Sequence, residues 1–181
     1  PPSCGASPRP RMKALLRFAP LAEGEQVMVK TGLSAVDMEG ARANVEQEIP
    51  GWDFDGVRRA AAAAWNRELS RIEVRTADPV RRRVFYTGLY HALIAPTVFS
   101  DVDGRYLGMD HNIRRTKEGE TYYTIFSLWD TFRALHPLLT ILRPELNAEM
   151  IRSLIAKSEE GGIYPKWDMV SNYTGTMIGY H

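Results

Sequence analysis

The sequence is poor in the features that most readily identify the class of a protein. Its one cysteine, Cys4, cannot close an internal disulfide, so the sequence does not report whether the protein meets an oxidising compartment. No apolar run reaches the roughly 20 residues that a membrane-spanning helix needs. The formal net charge is only +1, which gives no case for nucleic acid or an anionic membrane as a partner.

Short catalytic signatures are missing as well. The four histidines form no HxxxH or HExxH pair, which gives a zinc site little support, and no GxSxG, P-loop or GxGxxG motif occurs. The stretch before Arg11 has no apolar core, so it is not a signal peptide as it stands. Because the chain begins with Pro1 rather than methionine, we expect a fragment or a processed chain.

The composition that remains, 44% hydrophobic and 25% charged, is typical of a soluble globular protein. Residues 12–18 and 26–34 predict two short strands, the second from its alternating side chains, and Gly24 lies in the turn between them. A lone hairpin is marginally stable in water. We therefore expect residues 1–34 to be the end of a β domain with further strands elsewhere.

The next part of the chain predicts a helical linker over residues 35–77. Residues 35–48 favour a helix that ends at Pro50 and Gly51, since proline restricts the residue before it and glycine relaxes the backbone. A second helix is predicted from an N-cap at Asp53, with apolar residues at three- and four-residue steps up to Leu69.

Residues 78–181 predict the first hairpins of an all-helical domain, which makes the fold class mostly α. Asp78 is a predicted N-cap, followed by a proline at the first helical position. Further helices are predicted over 127–142 and 145–157, the latter with a buried side made of Leu146, Met150, Ile151, Leu154 and Ile155. The intervening residues 99–121 and 163–181 predict loops, with a stop at Gly161-Gly162 and a further helix near Thr176. Function tends to reside in loops carried by such a scaffold.

The first notable loop runs from Phe99 to Tyr106. Asp101 and Asp103 flank one residue before Gly104, which resembles the front half of a calcium loop without its closing glutamate. The alternative is a turn whose aspartates accept hydrogen bonds from nearby backbone amides.

The second segment is Phe126 to Arg133. Trp129, Asp130 and Arg133 are predicted at a helix mouth, where a carboxylate and a guanidinium beside an indole suit a hexose. The alternative is a capping box in which Asp130 accepts from the Ser127 amide.

The third segment is Pro165 to His181, which mixes Trp167 with small polar residues and glycines. It is either part of a ligand site or a covered loop whose aromatic residues fill the core.

Several long stretches, in order, resemble glycoside hydrolase family 92. They are Phe85 to His91, Phe99 to Tyr106, Tyr123 to Pro137 and Met177 to His181. The resemblance covers the chain from about Val27 to its last residue. It implies an N-terminal β-sandwich, joined by helices to an (α/α)6 barrel. Residues 1–34 would then be the tail of the sandwich, 35–77 the linker and 78–181 the start of an incomplete barrel.

The resemblance also implies an activity. Members of the family are exo-acting, inverting, calcium-dependent α-mannosidases, typically secreted, periplasmic or surface-attached in bacteria, that trim mannose from N-glycans or yeast mannan. Inversion needs an acid and a base carboxyl group roughly 6.5–9.5 Å apart, and calcium can bind two sugar hydroxyls. In the family the base aspartates and most calcium ligands lie beyond the position of His181. We therefore expect this chain alone to be inactive and to need the rest of its polypeptide to act on a mannose-containing glycan.

One departure from the family concerns the acid. The family's glutamate in an Asn-Glu-Thr context is replaced in Asn172-Tyr173-Thr174, and tyrosine, with a pKa near 10, is a poor general acid at neutral pH. Three alternatives follow: a substrate whose leaving group needs no proton, such as a mannosyl phosphate; another acid, with Asp168 the nearest candidate; or mannoside binding without hydrolysis. Another (α/α)6-barrel glycosidase is a further alternative. The substrate-binding residues that we expect are Trp129, Asp130, Arg133, Trp167, Asn172 and Thr174.

Overall fold

The computed structural model describes residues 15–178, which are mostly helical, as predicted, with three small two-stranded sheets. The helices are α1 (Met38–Glu48), α2 (Phe54–Leu69), α3 (Pro79–Ala92), α4 (Leu128–Asp130), α5 (His136–Leu142) and α6 (Pro144–Gly161). The strands are β1 (Thr97–Val98), β2 (Arg105–Leu107), β3 (Ile113–Arg115), β4 (Tyr123–Thr124), β5 (Asp168–Met169) and β6 (Asn172–Tyr173).

The segment before α1 forms no strand between residues 15 and 34. The predicted strands are therefore wrong where the structure describes them, while Met12, Lys13 and Ala14 lie outside the described residues. The predicted turn is confirmed: Gly24 has a φ of 79°, and the Glu25 amide donates to the Ala22 carbonyl at 3.0 Å. The apolar side chains here are largely exposed, because no neighbouring strand within residues 15–178 pairs with this segment.

Aspartate caps begin the first three helices. Asp37 accepts from the Gly40 amide at 2.6 Å, Asp53 from Gly56 at 2.8 Å, and Asp78 from Val80 at 2.9 Å. The predicted starts after Asp53 and Asp78 are confirmed, and α1 begins three residues later than predicted because its cap is Asp37.

The helix predicted over 127–142 contains a π-helical turn, Thr131–Leu135, between α4 and α5. Pro137 has no N–H to donate, and its ring crowds the carbonyl of Arg133 in the preceding turn. A widened turn relieves this crowding. It also lies directly after Trp129 and Asp130, and π-turns occur frequently at functional sites.

Helix α6 packs against a core of Phe126, Leu139 and the neighbouring Tyr123 and Leu128. Its buried residues are Asn147, Met150, Ser153, Leu154 and Lys157. Ile151 and Ile155, predicted on the buried side, are 44% and 47% exposed. That prediction is wrong because polar residues take part of the buried face, so the apolar pattern alone misaligns it. Gly162, with a φ of 74°, ends the helix as predicted.

The predicted loops contain short hairpins. β2 pairs with β3, β1 with β4, and β5 with β6, all antiparallel. The prediction of plain loops over 99–121 and 163–181 is wrong at β2, β3, β5 and β6, whose two or three residues are too few to show an alternating pattern. No helix begins near Thr176 in the described residues up to 178, and Gly179, Tyr180 and His181 lie outside them.

Candidate active site

The structure brings two of the predicted site segments together. Ser127 forms an isolated antiparallel bridge with Trp167, and the Leu128 amide donates to the Lys166 carbonyl at 3.0 Å. The start of α4 therefore lies beside the segment from Trp167 to Thr174, here called the 167–174 loop.

The 167–174 loop is a tight hairpin in which Asp168 lies opposite Tyr173 and Met169 opposite Asn172. Its turn residues, Val170 and Ser171, both have positive φ, 48° and 61°. This conformation is unfavourable for a β-branched residue such as Val170. The base of the hairpin is closed by Thr174, whose amide and hydroxyl donate to the Trp167 carbonyl at 3.2 and 3.1 Å.

On the neighbouring helix start, Trp129, Asp130 and Arg133 form a connected group. The Arg133 guanidinium lies 4.6 Å above the Trp129 ring, a cation–π contact that covers one face of the indole. The Asp130 carboxylate accepts from the Ser127 hydroxyl at 2.5 Å rather than from the Ser127 amide. Asp130 and Arg133 are exposed and Trp129 is half-buried, so all three are accessible.

Buried polar atoms without a hydrogen-bond partner occur in the same region. Within residues 15–178, Trp167 Nε1, Thr131 Oγ1 and His136 Nε2 are buried without a hydrogen-bond partner. Leaving a buried polar group unpaired has a free-energy cost, so such groups often belong to a site completed by something else. The sequence offered no signal for this property of Trp167.

Asp168, the alternative acid, lies in the core. Its side chain and that of Lys157 are both 0% exposed, with Lys157 Nζ 3.0 Å from Asp168 Oδ2. The same carboxylate accepts from the Thr124 hydroxyl at 2.7 Å and from the Phe126 amide at 3.1 Å. A general acid must reach the oxygen that it protonates, and this geometry argues against Asp168 in that role.

Sequence reasoning missed Lys157, the partner of Asp168. Burial lowers the pKa of Lys157, and the adjacent Asp168 carboxylate opposes that shift. The available signal was its position in the helix, because Lys157 continues the spacing of the buried Met150 and Leu154.

A second buried carboxylate, Glu160, was also missed. It accepts from the hydroxyls of Tyr106 and Tyr122 at 2.9 and 2.8 Å and from the Met109 amide at 3.0 Å. The two tyrosine rings stack at 3.8 Å. Burial first, and then the Glu160 carboxylate, raise the pKa of both tyrosines. These groups tie the end of α6 to the loop after β2.

The Asp101–Gly104 segment is a turn, as the alternative interpretation predicted. The Gly104 amide donates to the Asp101 carbonyl at 2.8 Å, and the Asp103 carboxylate accepts from the Arg105 amide at 2.9 Å. Asp101 is buried and accepts from Ser34 at 2.6 Å and from Asn44 at 2.8 Å. Both carboxylates are thus occupied by protein donors.

Acidic and other metal-ligating side chains are not clustered in the described residues. Among residues 15–178 no group of three or more histidine, cysteine, aspartate or glutamate side chains is placed to hold a metal ion. None of the helices in that range is long and apolar enough to cross a membrane.

Residues 40–181 match the sequence model of the glycosyl hydrolase family 92 catalytic domain. The family GH92 α-mannosidase BT3965 of Bacteroides thetaiotaomicron is 42% identical, with a TM-score of 0.77, over 82% of this chain and 20% of its own. Another structure of that enzyme is a complex with mannoimidazole. The family GH92 inverting mannosidase BT2199 of Bacteroides thetaiotaomicron VPI-5482 is 32% identical, with a TM-score of 0.74, over 81% of this chain and 20% of its own.

An uncharacterized secreted glycosidase of Arthroderma benhamiae is 34% identical over 86 residues, which are 45% of this chain and 11% of that protein. The chain therefore spans about a fifth or less of the length of these relatives.

Proposed function

Since the chain belongs to glycosyl hydrolase family 92, we propose that it is part of an exo-acting, inverting α-mannosidase that hydrolyses α-linked mannose from glycans. The observation that carries the proposal is its likeness, in sequence and fold, to α-mannosidase BT3965, which also forms a complex with mannoimidazole. The inverting outcome is supported by the description of BT2199 as an inverting mannosidase. The partners of this chain are then a mannose-containing glycan and the rest of its own polypeptide.

The proposed architecture divides the chain into the end of a β-sandwich (1–34), a helical linker (35–77) and the first hairpins of an (α/α)6 barrel (78–181). Support for a helical hairpin comes from α5 and α6, where Asn147 bonds with His136 Nδ1 at 2.8 Å and with the Thr140 hydroxyl at 3.0 Å. The linker is attached to the next unit through Asn44, which donates to Asp101. Residues 15–34 add no support for the sandwich, because they form no strand.

The proposed sugar-binding group combines the two adjacent segments. The bridge between Ser127 and Trp167 supports this grouping, because it brings the start of α4 to the 167–174 loop. Asp130, Arg133 and Asn172 are exposed, so a sugar hydroxyl can reach their side chains. The proposed substrate-contacting residues are Trp129, Asp130, Arg133, Trp167, Asn172 and Thr174.

At the acid position the chain carries Tyr173, and the buried ion pair makes Asp168 a poor substitute. These two observations favour a substrate whose leaving group departs without a proton. A phosphate group has a second pKa of about 6, so it leaves as an anion at neutral pH, whereas a sugar hydroxyl must be protonated. We therefore propose that the substrate is a mannosyl phosphate.

The family's calcium has no fitting ligand cluster in residues 15–178, so we propose that its ligands come from elsewhere in the protein. We also propose an extracellular, periplasmic or cell-surface location, which the secreted glycosidase of Arthroderma benhamiae supports.

The test compares a phosphate-linked mannoside with a plain mannose disaccharide, using the full-length protein with and without calcium. We expect calcium-dependent release of mannose from the phosphate-linked substrate and little from the disaccharide. Tyr173→Glu should raise disaccharide turnover by about 10²-fold or more, because it supplies a general acid. Tyr173→Gln is the matched control, since glutamine has no acidic proton, and should give no such gain.

Equal turnover of both substrates by the unmodified protein would rule out the leaving-group explanation. The second candidate function, mannoside binding without hydrolysis, rests on the same Tyr173. Saturable binding of a mannoside in calorimetry, with no mannose released from either substrate, would establish that candidate in place of the enzyme.

A further inference from the structure

The Asp168 carboxylate joins three separate parts of the chain at one buried point. It forms an ion pair with Lys157 on α6 and accepts from the Thr124 hydroxyl in β4 and from the Phe126 amide after it. Thr124 in turn accepts from the Val170 amide at 3.0 Å. Besides the Ser127–Trp167 bridge and a hydrogen bond from the Ser171 hydroxyl to the Leu107 carbonyl, the 167–174 loop is thus attached to the core through one carboxylate and one hydroxyl.

The residues around this point have unfavourable backbone conformations. Ile125, between the two donors Thr124 and Phe126, has a φ of 65°, and Val170 and Ser171 in the loop also have positive φ. Two of the three are β-branched, for which the left-handed region is a genuine outlier. Such conformations persist only where the surrounding contacts impose them. Here Asp168 accepts from both neighbours of Ile125, Thr124 holds the Val170 amide, and the Ser171 hydroxyl donates to the Leu107 carbonyl.

Lys157 is the cation that allows this carboxylate to stay buried and charged. Its Nζ lies 3.0 Å from Asp168 and 4.1 Å from the centre of the Tyr122 ring. Without Lys157 the carboxylate would be a buried, uncompensated charge, which is strongly unfavourable. It would have to take up a proton or move towards water. Because Asp168 pairs with Tyr173 across the hairpin, such a movement would shift the whole loop.

We propose that Lys157 is a positioning residue, whose ion pair with Asp168 holds the 167–174 loop in the conformation that presents Trp167, Asn172 and Thr174 to the substrate. The expected effect of Lys157 on catalysis rests on the proposed function. The conformational part of the role stands on the geometry of the loop alone.

The test uses the full-length protein and two measurements, hydrogen exchange resolved by peptide and kcat/KM on a phosphate-linked mannoside. In Lys157→Met we expect exchange in residues 163–178 to rise about tenfold or more, while residues 54–69 of α2 keep their rate. We expect kcat/KM to fall by a similar factor.

The double variant Lys157→Met/Asp168→Asn removes the uncompensated charge. It should recover about tenfold in loop protection and in kcat/KM relative to Lys157→Met, because the two residues act through each other. If Lys157 only fills space in the core, the two losses add, and the double variant is worse than either single one. That result would overturn the proposal.

Glu160→Gln is the matched control, since it alters a buried carboxylate on the same helix that contacts Tyr106, Tyr122 and Met109. It should lower the melting temperature without raising exchange in residues 163–178. An equal rise in both variants would mean that α6 is loosened in general, and the proposal would fail.

If Lys157→Met does not fold, Lys157→Gln removes the same positive charge but keeps a polar group beside Asp168, and the same loop-specific rise in exchange is expected or the proposal fails. If the unmodified protein releases no mannose, the proposed function is wrong, but the exchange contrast still decides whether Lys157 positions the loop.

Discussion

Helices α2 and α6 are the longest in the described part of the chain, with 16 and 18 residues. Within residues 15–178, none of the residues of α2 is fully buried, whereas α6 buries five, including a serine, an asparagine and a lysine. Both helices were predicted from their apolar spacing, but α2 has less of the protein to pack against. The comparison teaches that capping residues and apolar spacing determine where a helix forms. Which of its side chains are buried depends on the elements that pack against it.

The same comparison separates the two helices in function. Helix α6 carries Lys157 and Glu160, whose buried side chains contact Asp168 of the 167–174 loop and Tyr106 and Met109 in and after β2. Helix α2 is linked to the residue before α6 through a half-buried ion pair, in which Glu68 accepts from Arg143 Nη1 at 2.5 Å. Changes in the core around α6 should therefore affect stability and the site, and similar changes in α2 should affect neither much.

The largest expected difference in stability is between two phenylalanine-to-alanine substitutions, one in the core around α6 and one at the start of α2. Phe126→Ala empties a site that is 0% exposed and should lower the free energy of unfolding by about 3–5 kcal/mol. Phe54→Ala, at a side chain that is 72% exposed, should change it by less than about 0.5 kcal/mol. Urea unfolding followed by circular dichroism measures both, and similar losses would contradict the comparison.

A second comparison lies within α6 and tests which of its side chains are buried. Met150→Ala should cost about 2–5 kcal/mol, because Met150 is buried in the core. Ile151→Ala should cost less than about 1 kcal/mol, because Ile151 faces outward and alanine favours helix. The same unfolding measurement applies, and a larger loss at Ile151 would restore the face predicted from sequence.

A third prediction tests the local signal on α2. Asp53→Ala removes the acceptor of the Gly56 amide and should cost about 1 kcal/mol in helix stability. Asp53→Asn keeps an acceptor and is the control, with a loss near zero. Hydrogen exchange in residues 54–69 is the readout, and equal effects of the two changes would show that the cap does not matter.

The smallest expected effect on stability concerns the ion pair between Glu68 in α2 and Arg143, the residue before α6. Burial raises the pKa of Glu68, but hydrogen bonds from Arg143 and Arg71 outweigh it and hold that pKa below its usual value of 4.5. The stabilisation is therefore complete above pH 4.5 and is lost as pH falls through the lower native value.

Glu68→Gln should accordingly cost at most about 1 kcal/mol near neutral pH. The difference from the unmodified protein should vanish in acid. A difference that grows below pH 4.5 would reverse the assigned direction of the pKa shift. Unfolding curves of the two proteins across acidic and neutral pH provide the measurement.

The parts of the fold that could be predicted are those that depend on interactions between residues close together in the sequence. The caps at Asp53 and Asp78 and the stop at Gly162 were predicted correctly, because each depends on hydrogen bonds between residues two to four apart. The hairpins of β2 with β3 and of β5 with β6 were missed, because each strand has only two or three residues. The strands predicted before Ser34 failed because a strand needs a partner, which residues 15–178 do not offer there.

For the candidate site, the sequence by itself determined the motifs of the family, the tyrosine at position 173 and the two segments that carry Trp129 and Trp167. Only the tertiary structure decided that these segments meet at the Ser127–Trp167 bridge and that Asp168 is buried against Lys157. The physical reason is that residue identity and local hydrogen bonding are readable along the chain. Burial and ion pairing depend on side chains that are distant in sequence and become neighbours only when the chain folds.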